Sequence, residues 1–160
     1  MSLPERIQTT PRYLLLLACS QRKRTDSTPL PAIERYTGVN FQVLHKAQRE
    51  GYLPENLDIL ILSAKYGLLE AKSPIDYYDL KMTSSRAKEL QANTSQQLDL
   101  ILSQTTYKEI FINFGKTYLT AFNSSAMLPQ LEQRVIYAAG GIGQKMAQMK
   151  EWLYNISKNG

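Results

Sequence analysis

Short apolar runs alternate along this chain with longer stretches whose apolar residues recur at helical spacing. Tyr13–Ala18 and Leu57–Ser63 are apolar runs of strand length, and Glu109–Phe114 and Arg134–Ala138 repeat the pattern later in the chain. Runs of this kind, too apolar to face water, predict strands covered on both faces. Between the first two lies Ala32–Glu50, with Ile33, Tyr36, Phe41, Leu44 and Ala47 at roughly helical spacing, Gly38 placed to split it and Gly51 to stop it. Ser84–Ser103 predicts a helix with Ala87, Leu90, Leu98, Ile101 and Leu102 on one side and Ser95 placed to start a fresh one. Lys116–Ala126 follows, and a last helix carries a Met146, Met149, Trp152, Leu153, Ile156 stripe that reads as core. Residues 68–82 read as an irregular loop, and residues 1–12, with Pro4 and Pro11, as a flexible arm before a single domain over 13–160. Strands alternating with helices in this way predict an α/β fold, a mainly parallel sheet of about four strands with helices on both faces.

That fold class directs attention to one edge. Open α/β sheets bind ligands at the carboxyl ends of their strands. Here those ends carry Cys19-Ser20-Gln21-Arg22-Lys23, Ser63-Ala64-Lys65-Tyr66-Gly67, Gly115-Lys116-Thr117-Tyr118 and Gly140-Gly141-Ile142-Gly143. Ser20 and Lys23, with backbone N–H groups, suit a phosphate or carboxylate. Ser63, Lys65, Tyr66 and Gly67 add a charge, a ring and a sharp turn, against the plainer reading of a structural turn. Tyr78 offers a face to a base, or else plugs the long loop to the core. Gly115 and Tyr118 belong to the third loop. Gly140, Gly141 and Gly143 open the last helix, where backbone N–H groups favour anions. They lack the third glycine of a dinucleotide fingerprint and the spacing of a P-loop, so no cofactor is expected.

Composition then removes chemistry. The chain has one cysteine, Cys19, and one histidine, His45. No disulfide framework and no zinc site of several Cys or His can come from this chain alone. His45 reads as a surface or boundary residue. The catalytic candidates left are Cys19, as a nucleophile rather than a packed thiol, and Asp79, as a general base. The net charge of +5 permits an anionic partner. Leu14–Cys19 has the look of a lipoprotein cleavage site, but its apolar core falls short of the ~7–15 residues of a signal segment. A buried first strand and a cytoplasmic protein, with no membrane partner, are expected.

Leu62-Ser63-Ala64-Lys65-Tyr66-Gly67-Leu68-Leu69, continuing to Tyr78-Asp79-Leu80-Lys81-Met82, resembles the signature of the peroxide-stress protein YaaA family. That family carries Leu-Ser-x-x-Tyr-Gly-x-Leu and then Pro-Tyr-Arg-Leu-Glu-Met in the same register. Ser20-Gln21-Arg22-Lys23 resembles its Ser-Pro-Ala-Lys turn, and Tyr36-Thr37-Gly38 its Tyr-Thr-Gly. Tyr77, Asp79 and Lys81 depart from the family pattern. The Cys19-Ser20-x-x-Lys23 opening is also similar to a domain of archaeosine synthase, a tRNA-modifying enzyme. The YaaA resemblance implies a DNA-binding protein of the oxidative stress response with a positively charged cleft.

Together these readings give an expected function: a cleft at the strand ends that binds a nucleotide, nucleobase or nucleic acid, with group-transfer or hydrolytic chemistry open. The alternative is a non-catalytic DNA-binding protein. A third reading, an interaction domain with a vestigial site, is favoured if no hollow forms at the strand ends.

Overall fold

The computed structural model describes residues 10–159. Five strands form one sheet: β1 (Tyr13–Ala18), β3 (Leu57–Ser63), β4 (Gly67–Glu70), β6 (Glu109–Asn113) and β7 (Val135–Tyr137). Their order is β4-β3-β1-β6-β7. The four expected strands are parallel, and β4 adds an antiparallel hairpin partner to β3. The sheet therefore has one strand more than expected, formed by residues assigned to an irregular loop. Ser63 and Gly67 pair at its base, and Gly67, at φ +77°, supplies the left-handed turn. A separate ribbon pairs β2 (Leu30–Pro31) with β5 (Pro74–Ile75) and ties the loop after β1 to the segment after β4.

The helices are α1 (Ala32–Arg35), α2 (Val39–Glu50), α3 (Ser84–Gln104), α4 (Lys116–Leu119), α5 (Met127–Gln130) and α6 (Ile142–Asn159). Gly38 does split the first pair, because its N–H bonds the Ser20 hydroxyl at 3.2 Å and the chain turns there. Gly51 ends α2 at φ +82°. Ser95 starts no new helix: α3 is continuous from a Thr83 cap, and Thr94 and Ser95 turn their hydroxyls onto the Ala121 carbonyl. The single helix expected over Lys116–Ala126 is instead α4, a short 3₁₀ turn at Thr120–Phe122 and a bend.

Leu14 to Leu17 are completely buried, so the central strand is covered on both faces. On one face Trp152 of α6 stacks on Phe111, meets Tyr13 edge-on and donates its indole N–H to Glu109. α2 lies beside α6 there, with Tyr52 and Tyr154 in contact. α3 packs on the sheet at β4, where Thr94 and Leu90 lie against Gly67, and the complete burial of Leu14–Leu17 fits the helices expected on both faces. Of the expected arm, residues 1–9 lie outside the described residues, while Pro11 and Arg12 are anchored. Asn56 donates to the Pro11 carbonyl, Lys108 N–H to that of Arg12, and Arg12 pairs with Asp58. Among the described residues no helix is long and apolar enough to cross a membrane.

Candidate functional site

The chain leaves β1 for β3 on one side and returns to β6 on the other. The topological switch point therefore falls between the carboxyl ends of β1 and β6, where open α/β sheets form ligand crevices. Cys19 follows β1 there, its N–H bonded to the Leu62 carbonyl at 3.0 Å. Its Sγ lies 3.6 Å from the Tyr118 hydroxyl, which α4 carries in from β6. Gly115 starts α4 and accepts the N–H groups of Tyr118 and Leu119, so its part is to aim Tyr118.

Ser63 ends β3 and is fully buried. Its hydroxyl accepts the N–H groups of Lys65 and Tyr66 at 3.2 and 3.1 Å, which shapes the β3–β4 turn. With both lone pairs used, its own proton is directed to the Tyr78 hydroxyl at 3.0 Å. Tyr78 also bonds Tyr36 at 2.7 Å. Tyr78 is 5% exposed, with Tyr36 and Tyr66 edge-on to it and the Lys23 ammonium 4.5 Å from its ring centre. That leaves no ring face to stack on a base, and the expected stacking role does not fit; Tyr78 takes the buried alternative. Burial raises the phenols of Tyr36, Tyr78 and Tyr118 above their ordinary range, and the neighbouring Cys19 adds to the shift. These phenols stay protonated and serve as hydrogen-bond donors.

Two lysines rim the cluster. Lys23 lies on Tyr78 and also reaches the Gln21 carbonyl. Lys65, exposed, lies 5.4 Å from the ring centre of Tyr66. The first loop is held in place by Arg35, which is completely buried. Its guanidinium donates to the carbonyls of Arg24, Asp26, Thr28 and Ile75 at 2.7–3.1 Å, with no carboxylate partner. Ser20 accepts from Gly38 N–H and donates to the Arg22 carbonyl, so it too acts as a turn residue facing the start of α2. Among the described residues, no carboxylate bonds Ser20, Lys23, Ser63, Lys65, Tyr36, Tyr78 or Tyr118. The cluster offers two cations at its rim, an arrangement that can hold an anion.

Other expected residues stand apart. Asp79 is exposed and makes no hydrogen bond with the described residues, so nothing poises it as a base. Gly140, Gly141 and Gly143 follow β7, two strands away from β1. Gly140 adopts φ +96°, and the Gly141 N–H is already bonded to Gln144 at 2.8 Å, so this loop caps its own helix. His45 bonds the Ile33 carbonyl, as a boundary residue would. Two hollows lie elsewhere. One, of about 480 Å³, is lined by Tyr52, Ala147 and Tyr154 between α2 and α6. The other, of about 420 Å³, is lined by Tyr13, Ile136 and Trp152 at the amino edge of the sheet. Sequence reasoning on chemistry alone missed Tyr36 and Arg35. Tyr36, Ser63, Tyr66 and Tyr78 converge on this one cluster.

The fold is similar to that of AF0587, a protein of unknown function, with 14% identity and a TM-score of 0.51 over 89% of this chain and 44% of that one. The chain thus spans less than half the length of that structure, and the likeness concerns fold alone. No curated protein matches the chain. Residues 14–151, spanning β1 to the middle of α6 and so the whole cluster, match a family of unknown function. The chain belongs to that family, DUF6884.

Proposed function

We propose that the carboxyl edge of the sheet binds a phosphate-bearing ligand of the nucleotide class. The observation that carries this reading is a pair of lysines at the rim of the cluster with no carboxylate bonded to them among the described residues. The two ammonium groups come from different loops and rim the tyrosines beside the switch point. Lys23 and Lys65 hold the phosphate in this reading, and Tyr66, half-buried at the rim, is the ring left for a base. Cys19 is the group nearest to any group-transfer or hydrolytic chemistry. A cytoplasmic setting suits an unpaired thiol in this position.

A thermal-shift screen against nucleoside mono- and triphosphates, free nucleobases and short oligonucleotides tests it. A ligand of the native state raises the melting temperature by mass action. The reading expects stabilisation by at least one phosphate-bearing compound, reduced at least tenfold in affinity in Lys23→Ala and Lys65→Ala. If the variants bind as the wild type does, the placement is wrong. A DNA-binding protein shows instead an affinity for duplex DNA that falls steeply with salt. One observation favours another reading, an interaction domain without ligand chemistry: two hollows of about 480 and 420 Å³ lie away from this edge. No stabilisation by any compound supports that reading.

A further inference from the structure

We propose that β7 is a dimerisation edge, on which a second copy of this chain pairs its own β7 antiparallel about a two-fold axis through Ile136. Among the described residues, β7 has only β6 beside it. The Ala138 N–H donates to the Ile112 carbonyl, and main-chain groups alternate sides along a strand. Ile136 and Ala138 therefore turn theirs inward, and Val135, Tyr137 and Ala139 outward. The outward N–H and C=O of Ala139 are both taken by the side-chain amide of Gln148. The free groups left belong to Val135 and Tyr137, symmetric about Ile136. Two such edges run antiparallel match Val135 to the partner's Tyr137 twice, in four hydrogen bonds. Ile136 then faces the partner's Ile136 across the close, non-hydrogen-bonded position. Exposed edges are normally guarded by lysine, proline or a bulge, and Val135–Tyr137 has none of these.

The side chains agree with that pairing. Ile136 is in register with Phe111 and so shares its face of the sheet. Phe111 is 2% exposed beneath Trp152, but Ile136 is 37% exposed, because α6 covers β6 and stops short of β7. A two-fold axis normal to the sheet lays the second α6 antiparallel to the first on the same face. It carries Ile142, 75% exposed at the amino end of α6, toward the hollow that Ile136, Trp152 and Ile156 line in the other copy. The strand edge, with its free groups symmetric about Ile136, and the knob and hollow beside it are self-complementary, which makes a second copy the occupant.

Ile136→Cys tests this directly, since residues opposed at the close position of an antiparallel pair are near enough for a disulfide. Mild oxidation is expected to give a covalent dimer of that variant but not of the wild type, whose one cysteine lies at the end of β1. Sedimentation equilibrium is expected to give the wild type twice the 18.2 kDa chain mass. Ile136→Lys, at an exposed position, is expected to give the chain mass with an unchanged circular dichroism spectrum. A wild type that stays at 18.2 kDa at hundreds of micromolar leaves the edge to some other protein and overturns the proposal. So does a dimer that Ile136→Lys leaves intact, or an Ile136→Cys chain that forms no cross-link.

Discussion

Ser20 and Gly38 meet so closely that a Cβ on Gly38 would stand 2.7 Å from that of Ser20. Neither atom can swing away, so Gly38→Ala must shift backbone. We expect it to cost about 1–3 kcal/mol in chemical denaturation, the usual penalty of overpacking. The phenols make a second prediction. Burial holds the pKa of Tyr36, Tyr78 and Tyr118 above that of an unfolded tyrosine, about 10. A raised folded value means that stability is complete below the unfolded pKa and is lost as pH rises beyond it. Melting temperature is therefore expected to hold up to about pH 10 and fall above it, with a smaller fall in Tyr36→Phe. An equal fall in Tyr36→Phe would remove that residue from the account. At this scale the sequence was readable in part. Strand-end position alone points to Ser20, Ser63 and Lys23; Ser63 and Lys23 touch Tyr78, whereas Ser20 bonds the Arg22 carbonyl and the Gly38 N–H as a turn residue. That Ser63 would spend its oxygen on two backbone N–H groups was not readable, because it depends on the β3–β4 turn.

Among the elements, the loop after β1 shows how a polar, proline-bearing segment is made rigid. Arg35 fills its centre and satisfies four carbonyls, while the short β2–β5 ribbon closes its far end. Arg35→Met removes the donor from all four carbonyls, that of Ile75 buried and the others part-buried. We expect a loss of about 3–5 kcal/mol in urea titration, only partly recovered by Arg35→Lys, whose ammonium has fewer donors and no planar fork. Little or no loss in Arg35→Met would mean that the loop is held by something else. The limits of sequence reading are equally local. β1 and β3 were legible because continuous apolar runs admit few other fates. β4 was not, since Gly67–Glu70 is short and half its residues are covered only by pairing with β3 and packing on α3. The chain after α4 reads as helix by composition, but Ser125 and the N–H groups of Ala126 and Met127 bond Asp99 of α3 instead. A tertiary contact decides that bend, and no local pattern carries it.

For the whole molecule, alternation of strands and helices implied a parallel sheet but not its order. The order matters most, because it puts β1 at the centre and the switch point beside Cys19 and Tyr118. It also moves Gly140–Gly143 to the far edge, which leaves three strand-end loops rather than four to make the site. The same order leaves β7 at the edge of the sheet with Ile136 half-covered, the basis of the proposed dimer. The central claim is the location of the ligand site, and amide shift mapping by two-dimensional NMR tests it most directly, with adenosine triphosphate as the probe. The account predicts saturable shifts concentrated at Cys19–Lys23, Gly38–Phe41 and Lys65–Gly67, and their loss in Lys23→Ala. Shifts confined to the hollow between α2 and α6, or to Gly140–Gly143, would contradict it.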